Sequence, residues 1–223
     1  PCGDDDMTPS NLVRMAALNG LDIIALTDHN CTRNTPAAVK VGRQAGITVI
    51  PGMELETAEE VHVVLLFPTV EAALACGEEI AGRRLPIKNR VEVYGRQTVM
   101  DADDRVIGEE DNLLVVATDV GVYEAVRLAD RYGGVAYPAH ADKPSNGIIQ
   151  ILGALDPSMG FAAAEASPHA DDAFRAQLVW DGYRVMYGSD AHYLEDIGEP
   201  GARNVLEADE PTAQAVIRRI KGQ

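Results

Sequence analysis

The residues of this chain best suited by type and position to catalysis or ligand binding are histidines beside apolar segments. Of the five histidines, His29 ends "LDIIALTDH", His140 ends "VAYPAH", and His192 lies just beyond "YRVMYGS". A fourth, His62, opens "HVVLLF". Each apolar segment is typical of a buried strand, so three histidines would stand at the C-terminal ends of strands. In an α/β barrel those ends meet at one face, where catalytic groups from several strands gather.

Carboxylates stand beside these histidines. Asp28 precedes His29, Asp190 lies two residues before His192, and Glu54 follows the short strand "ITVIPG". Mixed imidazole and carboxylate ligands suit Zn, Mn or Fe better than Mg or Ca, which prefer oxygen ligands alone. The pattern therefore predicts a polynuclear metal centre at one rim of the fold, formed by Asp28, His29, Glu54, His140, Asp190 and His192.

Each of these residues also has a purely structural interpretation. Residues 28–30 would cap the next helix, His62 and His140 would be satisfied by nearby backbone, and Glu54 would be a solvated carboxylate. That interpretation needs a separate coincidence at every strand boundary. A metal centre explains all of the positions together, and we favour it.

Other polar groups receive different predictions. Glu165, near the end of "FAAAEAS", is expected to support or cap the rim rather than to bind a metal, and His169 in "SPHADDAF" is expected at the surface. The odd number of cysteines, Cys2, Cys31 and Cys76, and their lack of paired spacing indicate structural thiols. The absence of a Gly-rich phosphate loop, a G-x-S-x-G elbow and an H-E-x-x-H motif argues against those hydrolase classes.

Helix and strand patterns alternate along the chain. Helix patterns cover 8–20, 35–46 and 70–84, strand patterns cover 21–27, 47–52 and 62–68, and the alternation resumes from residue 120. The strands are apolar on consecutive residues, which predicts an α/β fold with a parallel sheet or barrel buried on both faces. An Asp-rich hairpin at 96–108 is predicted within an insertion at about 85–112, and the 223 residues are expected to form one domain over 1–223.

The charge of the chain limits its expected partners. Nineteen Lys and Arg against 35 Asp and Glu give a net charge of -16. Such a surface opposes binding to duplex nucleic acid or to an anionic membrane, because both depend on neutralising phosphates with cationic side chains. The longest strongly apolar run, residues 61–67, is shorter than the ~18 residues that a membrane span needs. With no paired cysteines, we expect a reduced, cytoplasmic setting.

Four motifs, in this order, resemble those of one known family. "GLDIIALTDHN", "IPGMELET" followed by "EEVHVV", "YPAHADKPS" and "YGSDAHY" are similar to the motifs of the polymerase and histidinol phosphatase (PHP) family of metal-dependent phosphoesterases. The resemblance covers roughly residues 7 to 200. It implies a distorted seven-stranded α/β barrel, similar to a TIM barrel, with two or three divalent metal ions (Mn, Fe or Zn) at the C-terminal rim.

The resemblance also implies roles for individual residues. Glu54 would bridge two metals, with His62 and His140 completing one site and Asp190 joining another. His29 and His192 would hold a third metal. The implied catalytic residues are Glu54, His140 and Asp190, and the implied metal ligands are His29, Glu54, His62, His140, Asp190 and His192. Lys143 stands where related enzymes place a basic residue on the substrate phosphate.

The sequence departs from the family pattern at its beginning. Family members open with a strand that carries His-x-His followed by Ser, and the sequence begins at Pro1, just downstream of where that strand should lie. We expect the strand to precede Pro1. Cys2 and Gly3 occupy the neighbourhood in which related sequences often place the next rim carboxylate, an Asp.

These features predict the hydrolysis of a phosphoester by metal-activated water. The expected substrate is a small phosphorylated metabolite, a nucleotide or a short oligonucleotide, with no duplex nucleic acid and no membrane as partner. Two alternatives stay open: an amidohydrolase-type enzyme that cleaves C–N or C–O bonds, and a catalytically silent PHP-like domain that binds a partner or senses a ligand.

Overall fold

The computed structural model describes residues 2–198 and 205–223; Pro1 and residues 199–204 lie outside the described part. Its strands are β1 (Ile23–Leu26), β2 (Thr48–Glu56), β3 (His62–Leu66), β4 (Thr98–Met100), β5 (Val106–Glu109), β6 (Val135–Pro138), β7 (Ala163–Ala166) and β8 (Arg184–Tyr187). Its helices are α1 (Pro9–Leu18), α2 (Thr35–Ala45), α3 (Val70–Ala81), α4 (Val91–Tyr94), α5 (Val122–Arg131), α6 (Ile148–Leu152), α7 (Asp172–Trp180) and α8 (Ala213–Ile220).

The largest sheet has four strands in the order β1-β2-β3-β6. β1 and β2 are parallel, whereas β3 runs antiparallel to both β2 and β6. The expectation of an all-parallel sheet is wrong at β3, because only residues 57–61 separate it from β2 and so short a connection makes a hairpin. The reversal brings His62, at the start of β3, to the edge where β1, β2 and β6 end.

β7 and β8 form a separate parallel pair. The amide of Ala141, just beyond β6, donates to the carbonyl of Glu165 in β7 at 2.8 Å, so the two sheets adjoin at the same rim. Within residues 2–198 and 205–223, however, β1 and β8 each lie at the end of their sheet, and the strands do not close into a barrel. The fold is α/β as expected, but the closed seven-stranded barrel is not confirmed.

Alternate residues of β3 face two different cores. Val63 and Leu65 pack with buried residues of α3 and α5, while Val64 and Leu66 pack with the apolar face of α8. Burying one such side chain contributes about 1.5–3 kcal/mol relative to leaving it exposed. The strand is thus covered on both faces, as its consecutive apolar residues predict, and its first residue is held firmly at the rim.

The Asp-rich hairpin is present as predicted. β4 and β5 pair antiparallel, and the carboxylate of Asp101 accepts hydrogen bonds from the amides of Asp103 and Arg105 at 2.9 and 3.0 Å. The side chain of Asn34 ties this hairpin to the loop after β1, because it donates to the carbonyl of Thr98 at 3.2 Å. The hairpin therefore borders the loop that carries His29.

Local interactions mark the helix ends. The hydroxyl of Thr8 caps α1 by accepting from the amide of Asn11, and Gly46 ends α2 in the left-handed conformation. His169 is exposed, as expected, and Asp171 caps α7. Within the described residues, none of the helices combines the length and the apolarity that crossing a membrane would need.

Candidate metal centre

Backbone pairing at the rim positions the central carboxylate and its first histidine. The amide of Glu54 donates to the carbonyl of Asp28 at 3.1 Å, and the carbonyl of Glu54 accepts from the amide of Asn30 at 2.9 Å. On the other side of β2, Glu54 pairs with Val64 of β3, and Glu56 pairs with His62. Glu54 is therefore fixed between the ends of β1 and β3, which bring His29 and His62 to it.

Three imidazoles surround the carboxylate of Glu54. Its Oε1 lies 3.1 Å from Nδ1 of His62 and 3.2 Å from Nε2 of His140, and those two nitrogens are 3.4 Å apart. Its Oε2 lies 3.3 Å from Nδ1 of His29. In a tetrahedral site with bonds of about 2.0–2.1 Å, neighbouring ligand atoms are about 3.3–3.4 Å apart. We call His29, Glu54, His62 and His140 the Glu54 cluster.

An unpartnered polar atom also favours a bound cation at the Glu54 cluster. Nδ1 of His29 is buried and has no hydrogen bond; its 3.3 Å approach to Glu54 lacks hydrogen-bond geometry. Glu54 is only 7% exposed, and burial acts to raise its pKa, but hydrogen bonds with His140 and His62 outweigh burial and hold the pKa below its usual range. An ionised carboxylate among imidazoles is a donor set that fits Zn, Mn or Fe.

His140 is held from behind by a buried carboxylate. It has a φ of 27°, which is unusual outside glycine, and its amide donates to Oε1 of Glu165 at 3.2 Å. Burial raises the pKa of Glu165 to about 7. A Cβ on Gly188 would lie 2.6 Å from Oε2 of Glu165, so only glycine leaves room for this carboxylate. Glu165 therefore positions the backbone of His140 at the rim.

Asp190 and His192 lie beyond β8, with Ala191 between them. Asp190 has a φ of 50°, and its Oδ2 forms an ion pair with Nζ of Lys143. Nδ1 of His192 is 2.8 Å from the carbonyl of Asp190. Because a carbonyl can only accept, Nδ1 carries the proton, and Nε2 is the nitrogen of His192 that faces the rim and could bind a metal. The ring of His192 faces that of His29, with centroids 6.3 Å apart.

Cys2 was expected to be a structural thiol, but it lies at the rim beside two histidines. Ligand atoms of Cys2, His29 and His192 all lie within 4.8 Å of one another. Hydrogen bonds with His192 and His29 lower the pKa of the Cys2 thiol to about 6, whereas burial raises those of Cys31 and Cys76 to about 12. Cys31 and Cys76 are buried, as structural thiols are expected to be, whereas Cys2 is exposed and lies beside two rim histidines. Its position where related sequences place a carboxylate was the available signal.

The helix-cap interpretation of residues 28–30 is also wrong. Asn34, not Asn30, stands at the N-cap of α2. The buried Asn30 side chain instead donates to the carbonyls of Leu114 and Val116 at 2.8 and 2.9 Å and accepts from the amide of Glu56. It thereby anchors the loop that carries His29 to β2 and to the segment after the hairpin.

The candidate site opens on a large cavity. Its volume is about 900 Å³, and its lining includes Cys2, His29, Glu54, Asp190 and His192. Clefts of about 300–1,000 Å³ are typical of small-molecule sites. Donor atoms of the rim are therefore accessible to a ligand even though the Glu54 carboxylate is buried.

Comparison with known proteins assigns the chain to a family. The sequence model of the PHP domain matches residues 2–195. A curated relative, the uncharacterized protein MJ1587 of Methanocaldococcus jannaschii, is 33% identical over 51 residues, which cover 23% of this chain and 30% of that protein. The match thus spans less than a third of the relative's length.

Solved structures share the fold. A proposed metal-dependent phosphoesterase of Bifidobacterium adolescentis has a TM-score of 0.65 at 19% identity, with 97% of this chain and 93% of that chain covered. The lesion-specific endonuclease Q of Pyrococcus furiosus also gives 0.65 at 19% identity, with 99% and 52% covered. An endonuclease Q complex with a 27-mer duplex, which carries an abasic lesion at the active site, gives 0.64 at 18%, with 99% and 53% covered. This chain spans about half the length of endonuclease Q.

The expectation that duplex nucleic acid is excluded as a partner is wrong. The endonuclease Q complex holds duplex DNA at the active site of a protein with this fold. Net charge sums the whole surface, whereas a phosphate is bound by the few groups around it. Metal ions and local cations at a rim can supply positive charge that a total of -16 conceals.

Proposed function

The chain belongs to the PHP domain family of metal-dependent hydrolases, and on that premise we propose that it hydrolyses a phosphoester with two or three divalent metal ions. The observation that carries the proposal is the Glu54 carboxylate, which lies 3.1–3.3 Å from nitrogens of three imidazoles. Such a set combines imidazole and carboxylate donors. Donor atoms of these types at this spacing are compatible with Mn, Fe or Zn.

The residues proposed to hold the metals are those implied by the family resemblance. They are His29, Glu54, His62, His140, Asp190 and His192. Divalent metals supply binding to phosphate oxygens, neutralisation of developing charge and a lowered pKa for bound water. Glu54, with an oxygen toward His62 and His140 and the other toward His29, is arranged to bridge two positions.

Lys143 is proposed to exchange partners during substrate binding. Its ammonium group now pairs with Asp190, and the two side chains are 34% and 18% exposed. A substrate phosphate arriving at the rim would compete for the ammonium group, and release of Asp190 would leave its carboxylate free as a ligand. Lys143 would then orient the phosphate, while Glu165 keeps His140 in position through its backbone amide.

Substrate choice is proposed to depend on the 85–112 insertion. Two groups hold it against the His29 loop: Arg33 pairs with Glu110 at 2.7 Å, and Asn34 accepts from the amide of Met100 at 2.9 Å. The segment therefore borders the access route to the metals. We also propose that the two adjoining sheets are parts of one distorted seven-stranded barrel within a single domain.

A substrate panel tests the proposed activity. The protein loaded in turn with Mn, Fe and Zn is assayed on a phosphomonoester, a phosphodiester, duplex DNA with an abasic site, and an amide. The account expects metal-dependent turnover of at least one phosphorus substrate, abolished in Glu54→Gln. Turnover of the amide alone would support an amidohydrolase instead, and no turnover of any substrate despite bound metal would support a silent binding domain.

A further inference from the structure

We propose that Cys2 is a metal ligand, and that Cys2, His29 and His192 form a thiolate-containing site that selects Zn²⁺ or Fe²⁺ over Mn²⁺. The inference deepens the proposed function and rests on it for the presence of metals at this rim. It adds a residue, Cys2, to the ligand set that the resemblance implies. It also changes the chemistry of that site, because a sulfur ligand stands where related sequences often have a carboxylate.

The first support is the convergence of three donors from distant parts of the chain. The sulfur of Cys2 and one nitrogen from each of His29 and His192 lie within 4.8 Å of one another. The thiol also interacts directly with both imidazoles. By contrast, Cys31 and Cys76 are buried and belong to no such group among the described residues.

The second support is the packing that fixes Cys2 in place. A Cβ on Gly3 would lie 3.0 Å from the carbonyl oxygen of His192, so the backbone beside Cys2 runs directly against the residue that carries the imidazole. The turn that follows is tied down as well, because the side chain of Asn11 in α1 donates to the carbonyl of Asp6 at 3.0 Å. The thiol is therefore held at the rim by contacts of its own segment.

The third support is the orientation of His192. Nδ1 of His192 donates to the carbonyl of Asp190 at 2.8 Å, which leaves Nε2 as the nitrogen available to Cys2 and to a metal. A backbone carbonyl behind an imidazole is the usual partner of a metal-binding histidine, because it fixes the tautomer.

The donor set determines which metal the site takes. Thiolate is a soft ligand that favours zinc and iron, whereas manganese prefers carboxylate and water. A Cys-His-His set resembles that of zinc enzymes that keep an open fourth position. The three positions would therefore bind a more thiophilic ion than the Glu54 cluster beside them, and the rim would hold two kinds of site.

Cobalt substitution tests this inference with a spectroscopic readout. Co²⁺ bound by a thiolate gives a sulfur-to-metal charge-transfer band in the near ultraviolet. The full chain loaded with Co²⁺ should show the band, Cys2→Ala should lose it together with about one equivalent of metal, and the control Cys76→Ala should keep it. Cys2→Asp should retain the metal, lose the band and shift preference toward Mn²⁺.

Two outcomes would overturn the inference: no band in the wild-type protein, or an unchanged band in Cys2→Ala. His140→Ala separates this inference from the proposed function, since it disrupts the Glu54 cluster and should leave the band intact. A protein that shows the band without turning over any phosphoester would retain the thiolate site and refute the proposed function. A protein that turns over phosphoesters without showing the band would support the proposed function and refute the thiolate site.

Discussion

Nε2 of His140 lies 3.2 Å from Oε1 of Glu54, while the backbone amide of the same His140 donates to Glu165 at 3.2 Å. One residue thus links the carboxylate of Glu54 to the buried side chain of Glu165. Its φ of 27° is part of that arrangement, because it turns the ring and the amide toward different partners. Strain of this kind persists where surrounding contacts determine the conformation.

Replacement of His140 tests the contact between its imidazole ring and the carboxylate of Glu54. His140→Ala should lower phosphoester turnover at least about a hundredfold, because loss of residues that merely support metal ligands already costs about 10–100-fold. Turnover and metal content are measured together, with thermal unfolding as the check on the fold. The exposed His169→Ala is the control and should behave as wild type. Near-normal turnover of a folded His140→Ala would contradict its role.

A methyl group on Gly188 tests the contact between Glu165 and the backbone amide of His140. The added Cβ would lie 2.6 Å from Oε2 of Glu165, so Gly188→Ala should displace that carboxylate and, through it, His140. We expect turnover to fall about 10–100-fold, the range typical of lost support for a ligand. Gly198→Ala is the matched control, since its Cβ would meet no atom of the described residues within 4 Å. Equal activity of the two variants would show that Glu165 does not position His140.

Glu165 should also make the stability of the metal-free protein depend on pH. Burial raises its pKa from 4.5 to about 7, so the folded state retains a proton that the unfolded state releases. Stability should therefore fall as pH rises from about 4.5 to 7, by up to roughly 3 kcal/mol. Denaturant unfolding of wild type and Glu165→Gln at several pH values measures the difference. The Gln variant should gain in relative stability toward pH 7, and a constant difference would contradict the buried, protonated state.

Lys143 should act on substrate binding. Lys143→Met should lower kcat/KM about 10–100-fold, mainly through KM, because a charge-assisted hydrogen bond to a phosphate contributes about 1.5–3 kcal/mol. Steady-state kinetics measures the split between kcat and KM. Lys88→Met is the control, since that side chain is 73% exposed and pairs only loosely with Asp111 at 3.7 Å. An unchanged KM in Lys143→Met would refute contact with the phosphate.

Much of the Glu54 cluster could be predicted because its residues adjoin strand ends. His29, Glu54 and His140 each follow an apolar segment, and parallel strands bring such ends together wherever they lie in sequence. The apolar pattern of β3 is the same in either direction, so it does not reveal that the strand is antiparallel. The length of the connection does, because residues 57–61 are too few for the crossover that a parallel neighbour needs, and the resulting hairpin places His62 at the same rim.

Contacts between distant residues account for what sequence reasoning missed. Cys2 has no partner at a metal-binding spacing in the sequence, and it meets His29 and His192 only in the folded chain. The need for glycine at position 188 depends on where the carboxylate of Glu165 comes to lie in three dimensions. The net charge led to the wrong exclusion of duplex nucleic acid, because a sum over the whole chain does not describe the electric field at one rim.

Dependence of phosphoester turnover on added metal tests the central claim most directly. The protein is freed of metal with a chelator, the loss is verified by elemental analysis, and turnover is followed as Mn, Fe or Zn is added back. The account predicts no turnover in the metal-free protein and recovery that saturates at two or three equivalents, with Glu54→Gln inactive at every addition. Full turnover by the metal-free protein, or equal recovery by Glu54→Gln, would contradict it.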